Sequence, residues 1–339
     1  MSRTSMTEHG TPSPRSAALA RARSALVPTG PTERALLAVA AVFAGVGAAH
    51  LIPFLASGAV WGGAVSWRKP ILFGLSIGIV TWWLAWVLDK LPWSQRRKTT
   101  WAIAYTGAMV VEYTVITAQR WRGVASHFNG TTPLDGALFG VMGIAIGIVS
   151  VLITALAVAA ARRRPRDPAM RWALLGGLAL MLGGLATGGL LIQLGNAQTV
   201  DGSAPEVVRA GAAGVPKYTH AVALHAPQAL VGLLALVEAG GLSATARRIT
   251  MRRGAMTWAA FVIATSAHTL AGRALFNVMN PTGLLLLAAF AGCAWPFASA
   301  MMAAWRNTTQ PGSPRDDALK DAVLGLGRAP ASRRAGIPG

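Results

Sequence analysis

Long apolar runs punctuate this 339-residue chain, separated by short segments that carry most of its Lys and Arg. A bilayer core about 30 Å thick needs roughly 20 apolar residues of helix, because a helix satisfies its own backbone hydrogen bonds in lipid. Eight segments fit that requirement: 35–56, 70–88, 101–118, 134–161, 172–192, 220–237, 257–276 and 283–305. The third and sixth are the least apolar by eye. The sequence therefore predicts an all-α integral membrane bundle of eight transmembrane helices.

Charge placement orients the bundle. Only 13% of residues are charged, against roughly 25% in an average soluble domain, so the chain cannot clothe a water-facing globule. The formal charge of +19 is not gathered into one patch as a nucleic-acid binder would gather it, and no nucleic-acid partner is expected. Taken alternately along the chain, the tails and loops place 24 of the 31 Lys and Arg on one side and 7 on the other. Positive residues accumulate in cytoplasmic loops, so both termini are expected in the cytoplasm, with the lipid bilayer of the cell membrane as the surroundings. Residues 1–33 and 307–339 read as largely disordered cytoplasmic tails around a membrane domain at 34–306, with one short amphipathic turn near 317–326. Arg96, Arg97, Lys98 and Arg162 to Arg164 read as topology signals and headgroup contacts. Trp82, Trp83, Trp86, Trp93 and Trp101 suit an interfacial belt.

A shift of 148 residues lays segments two to four on segments six to eight. It aligns Lys69 with Lys217, Thr117 with Thr265, and Phe128, Asn129 and Pro133 with Phe276, Asn277 and Pro281. Two four-helix halves related in this way would lie parallel in the membrane. The first segment needs another offset, because the fifth loop is longer than the first.

Orientation turns the scattered polar residues into an outer layer. His50 lies about 22 Å along the first span and His225 about 8 Å below the outer end of the sixth. Glu112 and His268 fall near mid-membrane, in spans where an ionisable group normally faces a cavity or a partner. Arg68, Lys69, Arg120, Arg122, Arg209, Lys217 and Arg273 make the outer side locally basic, with Asp135, Asp201 and Glu206 as its acids. Three stretches concentrate this chemistry. Gln119, Arg120, Trp121, Arg122, Ser126, His127 and Asn129 could clamp an anionic or planar ligand, since guanidinium binds carboxylate and phosphate in two-point fashion; a snorkelling interfacial cap uses the same residue types. His220 and His225 are five apart, about 140° around a helix, with Pro227 and Gln228 following. His268 and Arg273 are spaced alike. The single cysteine, Cys293, excludes a disulfide framework and a multi-thiolate metal site.

At these stretches the chain resembles a group of uncharacterised bacterial multi-pass membrane proteins. They carry an Arg-Gly-x-x-Ser-His-Phe-Asn segment after an apolar helix, here Arg122, Gly123, Ser126, His127, Phe128 and Asn129. They also carry a later His-Ala-x-Gln segment, here His225, Ala226 and Gln228, with His220 before it. The resemblance covers roughly the second to sixth spans; it implies a membrane protein and transfers no activity.

Three functions remain open on the residues. His50, His225 and His268, at similar depths on three helices, could hold haem or a metal ion, or line a quinone site. Arg120, Arg122, Arg273 and Lys217 above Glu112 could instead serve a transporter or receptor for a small anionic solute. A structural or assembly protein would use the same polar layer only for helix packing. The comparable depths predict that Glu112, His50, His225 and His268 converge in one connected site.

Overall fold

The computed structural model describes residues 13–309, so the expectations for 1–12, for 310–339 and for the turn near 317–326 lie outside the described residues. Helices run α1 (Pro14–Leu26), α2 (Pro31–Ala49), α3 (Leu51–Ser57), α4 (Arg68–Lys90), α5 (Gln95–Trp121) and α6 (Pro133–Arg162). They continue as α7 (Pro168–Arg171), a π-helical turn (Trp172–Gly176), α8 (Gly177–Ala197), α9 (Lys217–Ala239), α10 (Ala244–Leu270) and α11 (Pro281–Thr309). Outside them, the described residues hold isolated bridges and no strand.

Among the described residues six helical segments are long and apolar enough to cross a membrane: Pro31–Ser57, Arg68–Lys90, Pro133–Arg162, Pro168–Ala197, Lys217–Ala239 and Pro281–Thr309. The segments expected as third and seventh, α5 and α10, are 27 residues each but do not meet that standard. The reasons differ: the body of α5 carries Glu112 with Tyr105, Tyr113 and several threonines, whereas the first half of α10 carries Arg247, Arg248, Arg252 and Arg253. The sixth, expected among the least apolar, qualifies.

Helix boundaries follow local chemistry. Pro133, Pro168 and Pro281 open their helices, where a missing N–H costs nothing. Ser94, Thr132, Asp167 and Ser243 cap helices with side-chain oxygens. Pro53 removes the donor that would bond to Ala49, and the first long segment breaks at His50.

The core sits on α4 and α9. Of their most apolar 18 residues 61% and 50% are buried, against 22–28% in the other four segments, which places these two at the centre. Trp83, Leu84, Trp86 and Leu88 of α4 pack with Tyr105, Leu156, Leu230 and Leu234. This corrects the interfacial reading for three tryptophans: Trp83 and Trp86 are fully enclosed, and Trp101 is buried and stacked 5.3 Å from Tyr105. Trp86 also explains why part of the expected N-terminal tail is ordered as α1. Its buried indole N–H needs an acceptor, and the Ala25 carbonyl supplies one at 2.7 Å. Ser13 caps α1, and the small Ala18 lets it lie against α9 and α11, with Arg21 donating to the Glu238 carbonyl at 3.1 Å.

Packing is sequential within each half of the chain: α2 on α4, α4 on α5, α5 on α6, then α8 on α9, α9 on α10, α10 on α11. Helices α4, α5 and α6 begin at 68, 95 and 133, and α9, α10 and α11 at 217, 244 and 281. The offsets are thus 149, 149 and 148 residues, the shift at which the two halves of the sequence align.

Candidate functional site

The N-terminal end of α4, the C-terminal end of α5 and the 122–132 connection build the densest polar region. Glu112, on α5, is 3% exposed. Its Oε1 lies 3.8 Å from His127 Nε2, beyond a hydrogen bond, and its Oε2 has no hydrogen-bond partner. A buried carboxylate oxygen without a partner is unusual, because buried polar groups are normally hydrogen-bonded. His127 sits in the connection just past α5, with Nδ1 2.9 Å from Ser126 Oγ. Rings of Phe73, Phe139 and Phe128 surround it at 5.6, 6.1 and 6.2 Å. Burial, helped by the nearby Lys69 ammonium, pushes the His127 imidazole down to about 3, so it is neutral in ordinary conditions.

The neighbouring arginines are already engaged. Arg122 donates to Asp135 Oδ1 at 2.7 Å and to Gln119 Oε1, while Gln119 Nε2 donates to the same carboxylate oxygen at 2.9 Å. Thr132 Oγ1 adds a bond to Asp135 Oδ2 at 2.7 Å. This network ties the end of α5 to the start of α6 and is complete in itself. Arg120 lies over Trp67, its guanidinium 4.0 Å from the ring centre, with its buried Nε without a hydrogen-bond partner. Asn129 holds the connection together, donating to the Ala125 carbonyl at 3.0 Å and accepting from Thr131 Oγ1 at 2.7 Å.

The histidines do not converge. His50 donates to the Val46 carbonyl at 2.7 Å and faces Trp67 and Trp121 at 6.0 and 6.5 Å. His225 Nε2 meets Ser76 Oγ at 3.0 Å, which links α9 to α4. His220 Nδ1 donates to the Gly184 carbonyl of α8 at 2.7 Å, and its ring fills the space a Cβ would occupy at Gly188. With its amide turned to satisfy both ends, Gln228 donates to the Leu224 and His225 carbonyls at 3.0 Å. His268 is fully buried, with Thr282 Oγ1 at 3.1 Å and the Ala274 carbonyl at 2.9 Å. Arg273, five residues on, is exposed. The expected trio of His50, His225 and His268 is thus not brought together. No three His, Cys, Asp or Glu side chains among the described residues are grouped to hold a metal ion.

A second charged group lies beside the Glu112–His127 pair. Lys69 opens α4 and feels the charges of Arg68, Lys217 and Glu206; Lys217 opens α9. Glu206, from the long 198–216 connection, accepts from the Ala64 N–H at 2.9 Å. Arg68, Lys69 and Lys217 thus gather where two central helices begin, with Glu206 as a nearby acid acting on Lys69, and helix N-termini favour anions. Lys69, Phe73 and Ser76 were not among the expected site residues. Their spacing of four and three puts them on one face of α4, a pattern present in the sequence though not pointed out by any motif.

Comparison of the chain with protein-family models, with curated proteins and with solved structures finds no match.

Proposed function

We propose that this chain is an eight-span integral membrane protein that binds a small anionic solute near its outer face, above a proton-exchanging Glu112–His127 pair. In this reading α5 and α10 are the third and seventh spans, both termini are cytoplasmic, and the chain comprises two parallel four-helix halves. The near-identical offsets of the helix starts support the two halves. So do Lys69 and Lys217, which the shift equates and which open the two central helices.

The observation that carries the functional reading is Glu112: buried, with one oxygen unpartnered and the other facing a neutral imidazole across 3.8 Å. Structural carboxylates are normally satisfied, as Asp135 is. Arg68, Lys69 and Lys217 would draw and hold the anion, and Glu112 would couple its binding to a proton. The test is uptake of small carboxylates and of phosphate into proteoliposomes with and without a pH gradient. Gradient-dependent uptake that is lost in Glu112→Gln and Lys69→Gln is expected. No uptake and no binding across the panel would sink the proposal. The topology has its own test: a reporter active only outside the cytoplasm should work after Gly130 or Gly211 and stay silent after Arg97 or Arg164. Activity after Arg164 would overturn the eight-span arrangement.

A second reading is favoured by the three phenyl rings around His127, which suit a planar carbonyl compound such as a quinone accepting from the imidazole. The absorption spectrum and mass spectrum of gently purified protein decide it. A co-purifying quinone supports this reading; a protein free of one counts against it, and a Soret band would restore haem.

A further inference from the structure

We propose that the groove between α5 and α6, at the end of the bundle away from Glu112 and His127, is a binding site for one anionic phospholipid of the cytoplasmic leaflet. The inference rests on the orientation proposed above. The groove has a volume of about 860 Å³ and is formed by the 92–94 connection, the first turn of α5 and the last four turns of α6.

Its two ends differ in chemistry. At one end Arg97, Arg162 and Arg163 line the cavity with Trp93 and Ser94. All three arginines are exposed, and no carboxylate among the described residues pairs with them. Asp167, the nearest acid in sequence after α6, is already bonded to Arg247 at 2.8 Å. Arg97 lies 4.0 Å over the Trp93 ring, which holds its guanidinium at this end of the groove, and a guanidinium binds oxyanions through its N–H groups. Toward mid-membrane the wall is Val151, Ala155 and Val158. Ser150 and Thr154 interrupt it in sequence only, because their hydroxyls donate back to the Ile146 and Ser150 carbonyls at 2.8 Å. From 150 to 163 the helix rises about 20 Å, close to the depth of one leaflet.

A cationic pocket opening onto an apolar trough of leaflet depth matches a phosphodiester headgroup with its acyl chain. It does not match a soluble phosphate, which would have no use for the trough, nor a zwitterionic lipid, whose choline would meet three guanidinium groups.

The full-length protein, delipidated in detergent, is examined by native mass spectrometry with phosphatidylglycerol, phosphatidylcholine or glycerol 3-phosphate added. Phosphatidylglycerol should be retained at least tenfold more than phosphatidylcholine. Combined substitution Arg97→Gln, Arg162→Gln and Arg163→Gln should abolish the preference, while Arg166→Gln, Arg248→Gln and Arg252→Gln, which remove equal charge elsewhere, should leave it. Ala155→Trp, which fills the trough and keeps every arginine, should also lower retention severalfold. Equal loss in both arginine triples, no loss in Ala155→Trp, or displacement of the lipid by equimolar glycerol 3-phosphate would overturn the proposal. Retention is read on purified protein, so its failure is independent of the reporter and uptake tests above.

Discussion

The C-terminal ends of α5 and α10 are built alike and furnished differently. Each helix is 27 residues long and ends in a short connection, 122–132 or 271–280, that leads to a proline opening the next helix. At the end of α10 the polar group is His268, and both its nitrogens have partners on the connection and on α11. At the end of α5 the Arg122, Gln119 and Asp135 network is equally complete, yet Glu112 lies two turns further in with an oxygen unsatisfied. The 148-residue shift carries Glu112 onto Ala260 and His127 onto Leu275, so the second half has no counterpart of the pair. A bundle of this shape therefore closes without them. What distinguishes the first half is a mid-helix carboxyl group with an unpartnered oxygen, at a position where the second half has alanine.

The same contrast runs through the helix crossings, and there the largest effect is expected. A Cβ on Gly74 would come within 2.6 Å of both Gly47 Cα and Tyr113 Oη, so α2 and α4 touch backbone to backbone. A Cβ on Gly184 would meet the end of the Leu224 side chain at 2.8 Å and the Leu224 backbone N at 3.0 Å, so the α8–α9 approach is close but leaves more room than that of α2 and α4. Gly74→Ala should then cost about 3 kcal/mol or prevent accumulation, and Gly184→Ala about 1 kcal/mol, since overpacking typically costs 1–3 kcal/mol. Thermal unfolding in one detergent measures both. Equal losses would show that the α2–α4 crossing is not the tighter of the two.

Next in size is the comparison of histidines. His268→Leu removes both hydrogen bonds of a fully buried ring, to the Ala274 carbonyl and to Thr282 Oγ1, and should cost about 2 kcal/mol. His127→Leu keeps the packing against Phe73 and Phe139 and loses the Ser126 bond and the 3.8 Å approach to Glu112, which is too long for a hydrogen bond, so a loss under about 1 kcal/mol is expected. A larger loss for His127 than for His268 would make His127 the structural group and remove the basis for the proposed site.

How far these features were legible in the sequence depends on the kind of physics behind them. The helices and their offsets were visible because apolar length and proline placement are local properties, and Pro133 and Pro281 mark their helices unaided. The concentration of polar residues after α5 was also visible. Convergence of His50, His225 and His268 was not, because equal depth fixes one coordinate of a side chain and leaves its direction around the helix open. Trp83 and Trp86 misled for the same reason: near a helix end an indole can face lipid or core, and only the neighbouring α1 decides it. The pairing of Glu112 with His127 needed the fold of the 122–132 connection, where Gly123 and Phe128 take positive φ of 75° and 58° and turn the imidazole back over α5.

A smaller, pH-dependent effect separates the two histidines further. His127 has its folded-state pKa pushed down to about 3, whereas an unfolded chain binds a proton near 6.5. Between those values the unfolded state holds more protons, so stability falls as pH drops below about 6.5 and keeps falling toward 3. His127→Leu should flatten that part of the stability profile between pH 7 and 4. An unchanged slope would show that His127 is open to water or already charged.

The smallest effect tests the two arginines at the two helix ends. Arg122 is 42% exposed, but its carboxylate partner, Asp135, is 2% exposed and sits at the first turn of α6. Replacing Arg122 by Gln removes one charge-assisted bond and leaves Asp135 with Gln119 and Thr132, so about 1 kcal/mol should be lost, less as salt is added. Arg273 is exposed, and only its backbone N–H is held, donating to the His268 carbonyl at 3.3 Å. Arg273→Gln should stay within about 0.5 kcal/mol of the parent. The difference is measurable because the variants change the same residue type at corresponding ends of α5 and α10. If Arg273→Gln proves the more costly, the second half holds a polar contact as consequential as the first, and the asymmetry drawn between the halves fails at its weakest point.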